Sequence, residues 1–182
     1  MQLYTISDTY IDFLRQKIPK VYSNKLNHRN HTRKYLGPII LNEIYPYYIP
    51  LSSPKKSDYQ YAGNKMVVKK SIVPIIRMYE RGPDGEKVLK GTLRISDMIP
   101  VPSSELEKYD IENETSLEYK HLIFSELRYI RKNLNIIMKK AHIMYQQKIS
   151  NNPSASYISS ALDFRSLEML YMQFILEDSS II

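Results

Sequence analysis

The chain has 182 residues, 26 Lys and Arg against 19 Asp and Glu, a formal net charge of +7 and no cysteine. That length suits one domain, a hydrophobic content of 43% is enough for a core, disulfides and thiolate metal sites are excluded, and the charge balance points to a polyanionic partner. No apolar run approaches a membrane span, and the first residues lack the basic and apolar regions of a signal peptide, so a cytoplasmic protein with no membrane role is expected.

In chain order, residues 2–6 alternate and are rich in β-formers, which predicts a strand. Asp8 can cap a short helix carrying Tyr10, Ile11, Phe13 and Leu14. Residues 19–34 (PKVYSNKLNHRNHTRK) are polar, basic and aperiodic, a long loop of the kind that often carries function. Residues 35–41 predict a strand with Pro38 at an edge or a bulge. A strand at 47–51 follows, then one or two strands over 66–79 around Pro74. Residues 80–87 (ERGPDGEK) predict a hairpin turn, 88–95 its return strand and 98–101 a short strand. Short strands separated by turn residues suggest a small barrel or a strongly bent sheet.

The second half reads as helical. Ser103 and Ser104 ahead of Glu105 predict a helix start. Between 117 and 148, Ile123, Leu127, Ile130, Leu134, Ile137, Ala141 and Met144 step by four and three along one face, which predicts one long helix packed on the sheet. Arg128, Arg131, Lys132, Lys139 and Lys140 lie mostly off that stripe, as solvated charges or, for some, as a groove for RNA phosphates. Residues 150–160 form a polar connector, and 162–176 predict a last, apolar helix. The division is therefore a β-rich part (1–101) and a helical part (102–182) within a single domain, 1–182.

Five glycines leave no room for a Gly-rich phosphate loop, the four histidines have no metal-ligand spacing with carboxylates, and no nucleophile elbow is present. What remains is the bend after the 47–51 strand, with Ser52, Ser53 and Lys55 close to several tyrosines. Such a set can break RNA without external water. The ribose 2′-hydroxyl attacks its own phosphate while hydroxyls and backbone N–H groups hold the phosphate oxygens. A lysine neutralises developing charge or protonates the leaving oxygen, and tyrosines splay the bases. No metal or cofactor takes part in that chemistry. The plainer readings are serines that satisfy turn backbone, solvated charges at Lys55 and Lys56, and a core role for Tyr10 against Phe13.

Four stretches carry a resemblance. They are the opening LYTIS-DTYI (3–11), Tyr35-Leu36-Gly37 before an apolar strand, the loop Pro50-Leu51-Ser52-Ser53-Pro54-Lys55, and Met98-Ile99-Pro100 followed by Leu127-Arg128-Tyr129-Ile130-Arg131. In these, over nearly its whole length and in the same order, the chain resembles the ToxN/AbiQ family, the endoribonuclease toxins of type III toxin–antitoxin and phage abortive-infection systems. The loop is the specific part.

The resemblance implies an α+β fold: a compact, strongly bent antiparallel β-barrel like that of the MazF/Kid toxins, with a long helix and further C-terminal helices packed on it. It implies metal-independent cleavage of single-stranded cellular or phage RNA through 2′-hydroxyl attack, leaving a 2′,3′-cyclic phosphate. It also implies inhibition by a repeated antitoxin RNA folded into pseudoknots, in a closed toxin–RNA assembly. By position it makes Ser53 and Lys55 active-site residues, with Ser52 in a Ser/Thr slot and Tyr10 beside them. The family's tyrosine ahead of the aromatic-x-Gly strand has no direct counterpart where this chain reads His28-Arg29-Asn30. Tyr22, His28 and Arg29 are the alternatives for that role. Arg33, Lys34, Lys56, Arg131 and Lys132 complete the expected RNA-binding set. The alternative from a different class is a non-catalytic RNA- or DNA-binding module using the same basic surface.

Overall fold

The computed structural model describes residues 1–24, 31–42, 44–150 and 155–179. The first part runs β1 (Gln2–Ile6), α1 (Asp8–Lys17), β2 (Tyr35–Ile40), β3 (Pro46–Ser52), β4 (Tyr59–Ala62), β5 (Lys65–Val68), β6 (Ile75–Arg81), β7 (Lys87–Arg94) and β8 (Ile99–Pro100). Then come β9 (Leu106–Lys108), α2 (Leu117–Lys132), α3 (Leu134–Ile149) and α4 (Phe164–Ser179).

Ser7, not Asp8, caps α1: its Oγ accepts the Tyr10 N–H at 3.1 Å. Asp8 sits in the first turn, where a carboxylate suits the positive end of the helix. β2 and β3 pair antiparallel with a register shift between Leu36 and Ile39, where Pro38 has no N–H to give the ladder. Gly37 belongs to the same irregularity, since a Cβ there would run into the Tyr48 ring.

β3 is the central strand, with neighbours on both edges. Opposite β2, one continuous segment runs antiparallel to it in two pieces. Thr92 and Leu93 of β7 face Ser52 and Leu51. Ile99 and Pro100 of β8 face Tyr48 and Tyr47. A 3-10 turn, Ile95–Asp97, lies between the pieces and lets the sheet bend there. The whole path is β6-β7-β3-β2-β1-β9, antiparallel at every described pairing, with β4 and β5 in a separate hairpin. The expected strongly bent antiparallel barrel is found as a bent antiparallel sheet that does not close: among the described residues β6 and β9 end the path and do not pair with each other. α2 packs against β6 and β7 instead.

Two other expectations are revised, and one strand is added. The single helix over 117–148 is two helices broken at Asn133, whose φ of −115° and ψ of 17° leave the helical region. Asn133 Nδ2 donates to Tyr129 O at 2.8 Å, the local side-chain bond that makes asparagine a poor interior helix residue. Ile123, Ile130, Ile137, Ala141 and Met144 are buried on both sides of the break, so periodicity alone shows one stripe. The helix start at Ser103 is only a 3-10 turn, Ser103–Glu105, leading into edge strand β9. The polar stretch after the serine–lysine bend holds a further strand, β4, which turns into β5 through Gly63 at φ 60°.

Buried residues from the strands and the helices fall in one core cluster, including Tyr35, Ile49, Leu93, Ile137 and Phe164. Glu168 of α4 ties the layers: Tyr47 and Tyr145 hydroxyls donate to it at 2.9 and 2.7 Å, and Asn42 Nδ2 at 3.1 Å. Among the described residues no helix is long and apolar enough to cross a membrane.

Candidate active site

β3 ends at Ser52, which is 8% exposed. Thr92 Oγ1 donates to its carbonyl at 3.3 Å, so the strand stays paired to its last residue. Beyond it, residues 53–57 are exposed and form a bend. A short 3-10 turn, Lys56–Asp58, closes it, with the Asp58 N–H donating to Lys55 O at 2.9 Å. Asp58 Oδ2 accepts the Lys55 N–H at 3.0 Å. Asp58 Oδ1 accepts from Arg77 Nε and Nη2, both at 3.1 Å. Arg77 belongs to β6 and also donates Nη1 to Lys70 O at 2.8 Å. A buried ion pair is favourable only when further hydrogen bonds complete both groups, and here they do. The bend is thereby pinned to the sheet while the Lys55 and Lys56 side chains stay exposed.

Beside the bend is a cavity of about 280 Å³. Leu51, Ser52 and Ser53 form one wall. Arg33 and Lys34, from the segment entering β2, form another. Leu51 N–H donates to Lys34 O at 2.9 Å and Arg33 Nη1 to Leu51 O at 2.8 Å, which fixes the two walls together. Arg33 lies over the Tyr22 ring at 4.1 Å, and Lys34 Nζ over the Tyr109 ring at 4.3 Å. Burial lowers the Lys34 pKa, opposed by Glu114 and Glu107. β7 adds Lys90, and α2 adds Tyr119 and Glu126. His31 stacks on Tyr119 with centroids 3.7 Å apart and an interplanar angle of 2°. Burial alone pushes the Glu126 carboxyl up to about 8.

The structure brings Ser52, Ser53, Arg33 and Lys34 together in this cavity, with Lys55 and Lys56 on the adjoining bend. It does not bring Tyr10 there. Tyr10 is fully buried, its hydroxyl donates to Pro100 O at 2.8 Å, and its ring packs on Phe13 and Phe174. Burial drives its pKa far up, and the expected place of Tyr10 among the active-site residues is corrected to a core role. Tyr22 lies behind the cavity wall, under Arg33 and hydrogen-bonded to Asp97, with its pKa raised by burial. Arg131 and Lys132 are exposed at the end of α2 and do not line the cavity. Lys132 lines a separate groove of about 580 Å³ with Tyr79, Arg81, Arg128 and Tyr129. His28 and Arg29 lie outside the described residues. Among the described residues, no three His, Asp or Glu side chains converge as metal ligands.

Sequence reasoning missed Lys90, Tyr119, Glu126 and the Asp58–Arg77 anchor. One signal was present: Glu126 interrupts the apolar face between Ile123 and Ile130, where an amphipathic helix normally keeps only core residues. Another was Gly91 in a strand interior, where glycine marks a close approach.

Over residues 2–172 the chain matches a family model described as toxin ToxN of the type III toxin–antitoxin system. It is 28% identical over 141 residues to the endoribonuclease ToxN of Pectobacterium atrosepticum, covering 78% of this chain and 77% of that protein. It is 28% identical over 169 residues to the endoribonuclease AbiQ of Lactococcus lactis subsp. lactis, covering 92% and 86%. A solved structure concerned with selective toxin inhibition by a non-coding RNA pseudoknot in bacterial type III toxin–antitoxin systems matches with a TM-score of 0.75 at 23% identity. It covers 95% of this chain and 96% of that one, and at that identity the likeness is one of fold.

Proposed function

The chain belongs to the ToxN toxin family of type III toxin–antitoxin systems, and from that membership we propose that it is an endoribonuclease that cuts single-stranded RNA at the Ser52–Lys55 bend. The observation that carries the reading is the convergence of the two serines with Arg33, Lys34 and Lys90 around one cavity, next to the exposed Lys55.

The geometry suits a reaction in which the substrate supplies its own nucleophile. The ribose 2′-oxygen attacks the adjacent phosphorus, the bond to the 5′-oxygen breaks, and a 2′,3′-cyclic phosphate and a 5′-hydroxyl result. Ser52 and Ser53 hydroxyls donate to the non-bridging oxygens. Lys55 faces the developing negative charge, and the buried cations of the cavity hold neighbouring phosphates. No metal ion is needed for these steps. Rigid positioning comes from β3 and the Asp58 anchor.

The inhibitor is a repeated antitoxin RNA folded into pseudoknots. Membership of a type III toxin–antitoxin family supports this, as does the separate groove lined by Arg81, Arg128 and Lys132. An RNA repeat spanning the cavity of one copy and the groove of the next closes into a toxin–RNA assembly. The core shared by strands and helices supports reading 1–182 as a single domain, and the bent antiparallel sheet supports kinship with the MazF/Kid fold. A cytoplasmic setting is where both RNAs are met.

The test is incubation of purified protein with single-stranded RNA in EDTA, with Lys55→Ala and Ser53→Ala alongside. Cyclic-phosphate ends appear with the wild type and fall by about 10²–10³ in rate for the variants, the scale of losing one transition-state donor. Salt-sensitive binding without scission by the wild type overturns the enzyme in favour of a non-catalytic module.

A further inference from the structure

We propose that Glu126 is a nucleobase-contacting residue, and that the cavity beside Ser52 and Ser53 takes the edge of one RNA base against its carboxyl. This rests on the reading of the cavity as an RNA site.

Among the buried acids of the described residues, this carboxyl is the exception. Asp58, the other deeply buried acid, receives the Lys55 N–H and a two-point grip from Arg77. Glu126 is 5% exposed and lines the cavity, yet has no hydrogen bond or ion pair among the described residues. Arg33, Lys34 and His31 from the segment before β2 and Lys90 from β7 line the same cavity. None of them forms an ion pair with it. Met78 of β6 borders the same spot on β7. An unpartnered buried carboxyl is costly, and contacts within the chain do not offset that cost.

The sequence also makes room for it. A Cβ on Gly91 would overlap Glu126 Oε1, so the strand carries glycine where the carboxyl rests. Glycine inside a strand is less favourable than alanine, because it gives up more backbone freedom on folding. Two unfavourable features meet at one spot, and the carboxyl between them lines a cavity, which marks a place where a ligand supplies the missing partner.

The cavity has the character of a base slot. Leu51, Leu122 and Ile123 give apolar wall, and the parallel His31 and Tyr119 rings give a flat one. Unstacked bases are held by such surfaces together with a single polar handle. With its pKa raised by burial to about 8, the carboxyl keeps its proton near neutrality. It then offers an O–H donor beside a C=O acceptor, the pattern of an amide, which matches a base edge carrying a donor next to an acceptor.

That analogy sets the experiment. Wild type, Glu126→Gln and Glu126→Ala are given a randomised single-stranded RNA pool, and the cut positions are sequenced. Binding to a randomised 2′-deoxy pool, which cannot be cut, is measured in parallel. Glu126→Gln, which still presents a donor beside an acceptor, retains the base preference that Glu126→Ala loses. Glu126→Ala loses about tenfold or more in kcat/KM and flattens the preference at one position, in cutting and in binding alike. Glu126→Leu, which keeps the volume, stands in if the alanine variant does not fold. An unchanged preference in the alanine or leucine variant overturns the proposal. So does a glutamine variant as inactive as the alanine one, which would make Glu126 a proton-transfer group. If the wild type cuts nothing, the nuclease reading fails while the binding preference still decides on Glu126.

Discussion

Arg77 and Asp58 meet at 3.1 Å with 6% and 1% of their side chains exposed, and the same carboxylate caps the backbone of Lys55. Removing one partner strands the other charge in the interior. Asp58→Ala is expected to lose about 3–5 kcal/mol by denaturant unfolding. The double variant Asp58→Leu with Arg77→Met recovers most of that stability but not RNA cleavage, because the bend remains unpinned. Unfolding curves and cleavage rates on the three proteins check both statements.

Tyr10 is a core residue whose hydroxyl serves Pro100. Tyr10→Phe is expected to lose about 1 kcal/mol of stability, one internal hydrogen bond, and to leave cleavage unchanged. Tyr10→Ala is expected to lose about 3–5 kcal/mol through the cavity left among Phe13 and Phe174. A folded Tyr10→Phe protein that no longer cuts RNA would restore the tyrosine to the site.

Glu126 makes stability depend on pH. Its folded pKa of about 8 exceeds the ordinary 4.5. The unfolded chain releases this proton above the lower value, whereas the folded chain keeps it up to the higher one. Folding therefore binds the proton across that window, and stability falls as pH rises through it. The total is about 5 kcal/mol for this group, from 1.36 kcal/mol per pH unit. Glu126→Gln removes the effect: thermal melts show it close to wild type at pH near 5 and more stable than wild type near 8.

Gly91 and Glu126 are expected to be coupled. Gly91→Ala places a methyl group against Oε1 and, beyond it, Met78 Cε at 3.2 Å from the new carbon. The expected loss is about 1–3 kcal/mol, as for an overpacked site. With Glu126→Ala in the same protein the loss shrinks, giving a double-mutant coupling of about 0.5–3 kcal/mol.

Much of this fold is legible in the amino-acid sequence. Alternation marked β1, and apolar runs bounded by turn residues marked β2, β3 and β7 to within a residue or two. The apolar stripe gave the helical half but not its break, since Ile130 and Ile137 stay in phase across Asn133. β9 was hidden because an exposed three-residue edge strand has no pattern of its own. The serine–lysine bend was legible as a motif. The cavity was not, because Lys90, Tyr119 and Glu126 come from β7 and α2, and only the tertiary fold brings them to β3. Tyr10 was misplaced for the complementary reason: a tyrosine near an active-site motif in family order says nothing about which way its ring turns.

The root of the bend has a thermal consequence. Ser52 closes a strand held on one side by β2 and on the other by β7 and β8. Central strands open to amide exchange only with the whole molecule, unlike lids and hinged loops that soften first. Warming is expected to leave RNA cleavage intact until the sheet itself melts, so the inactivation curve and the melting curve will superimpose.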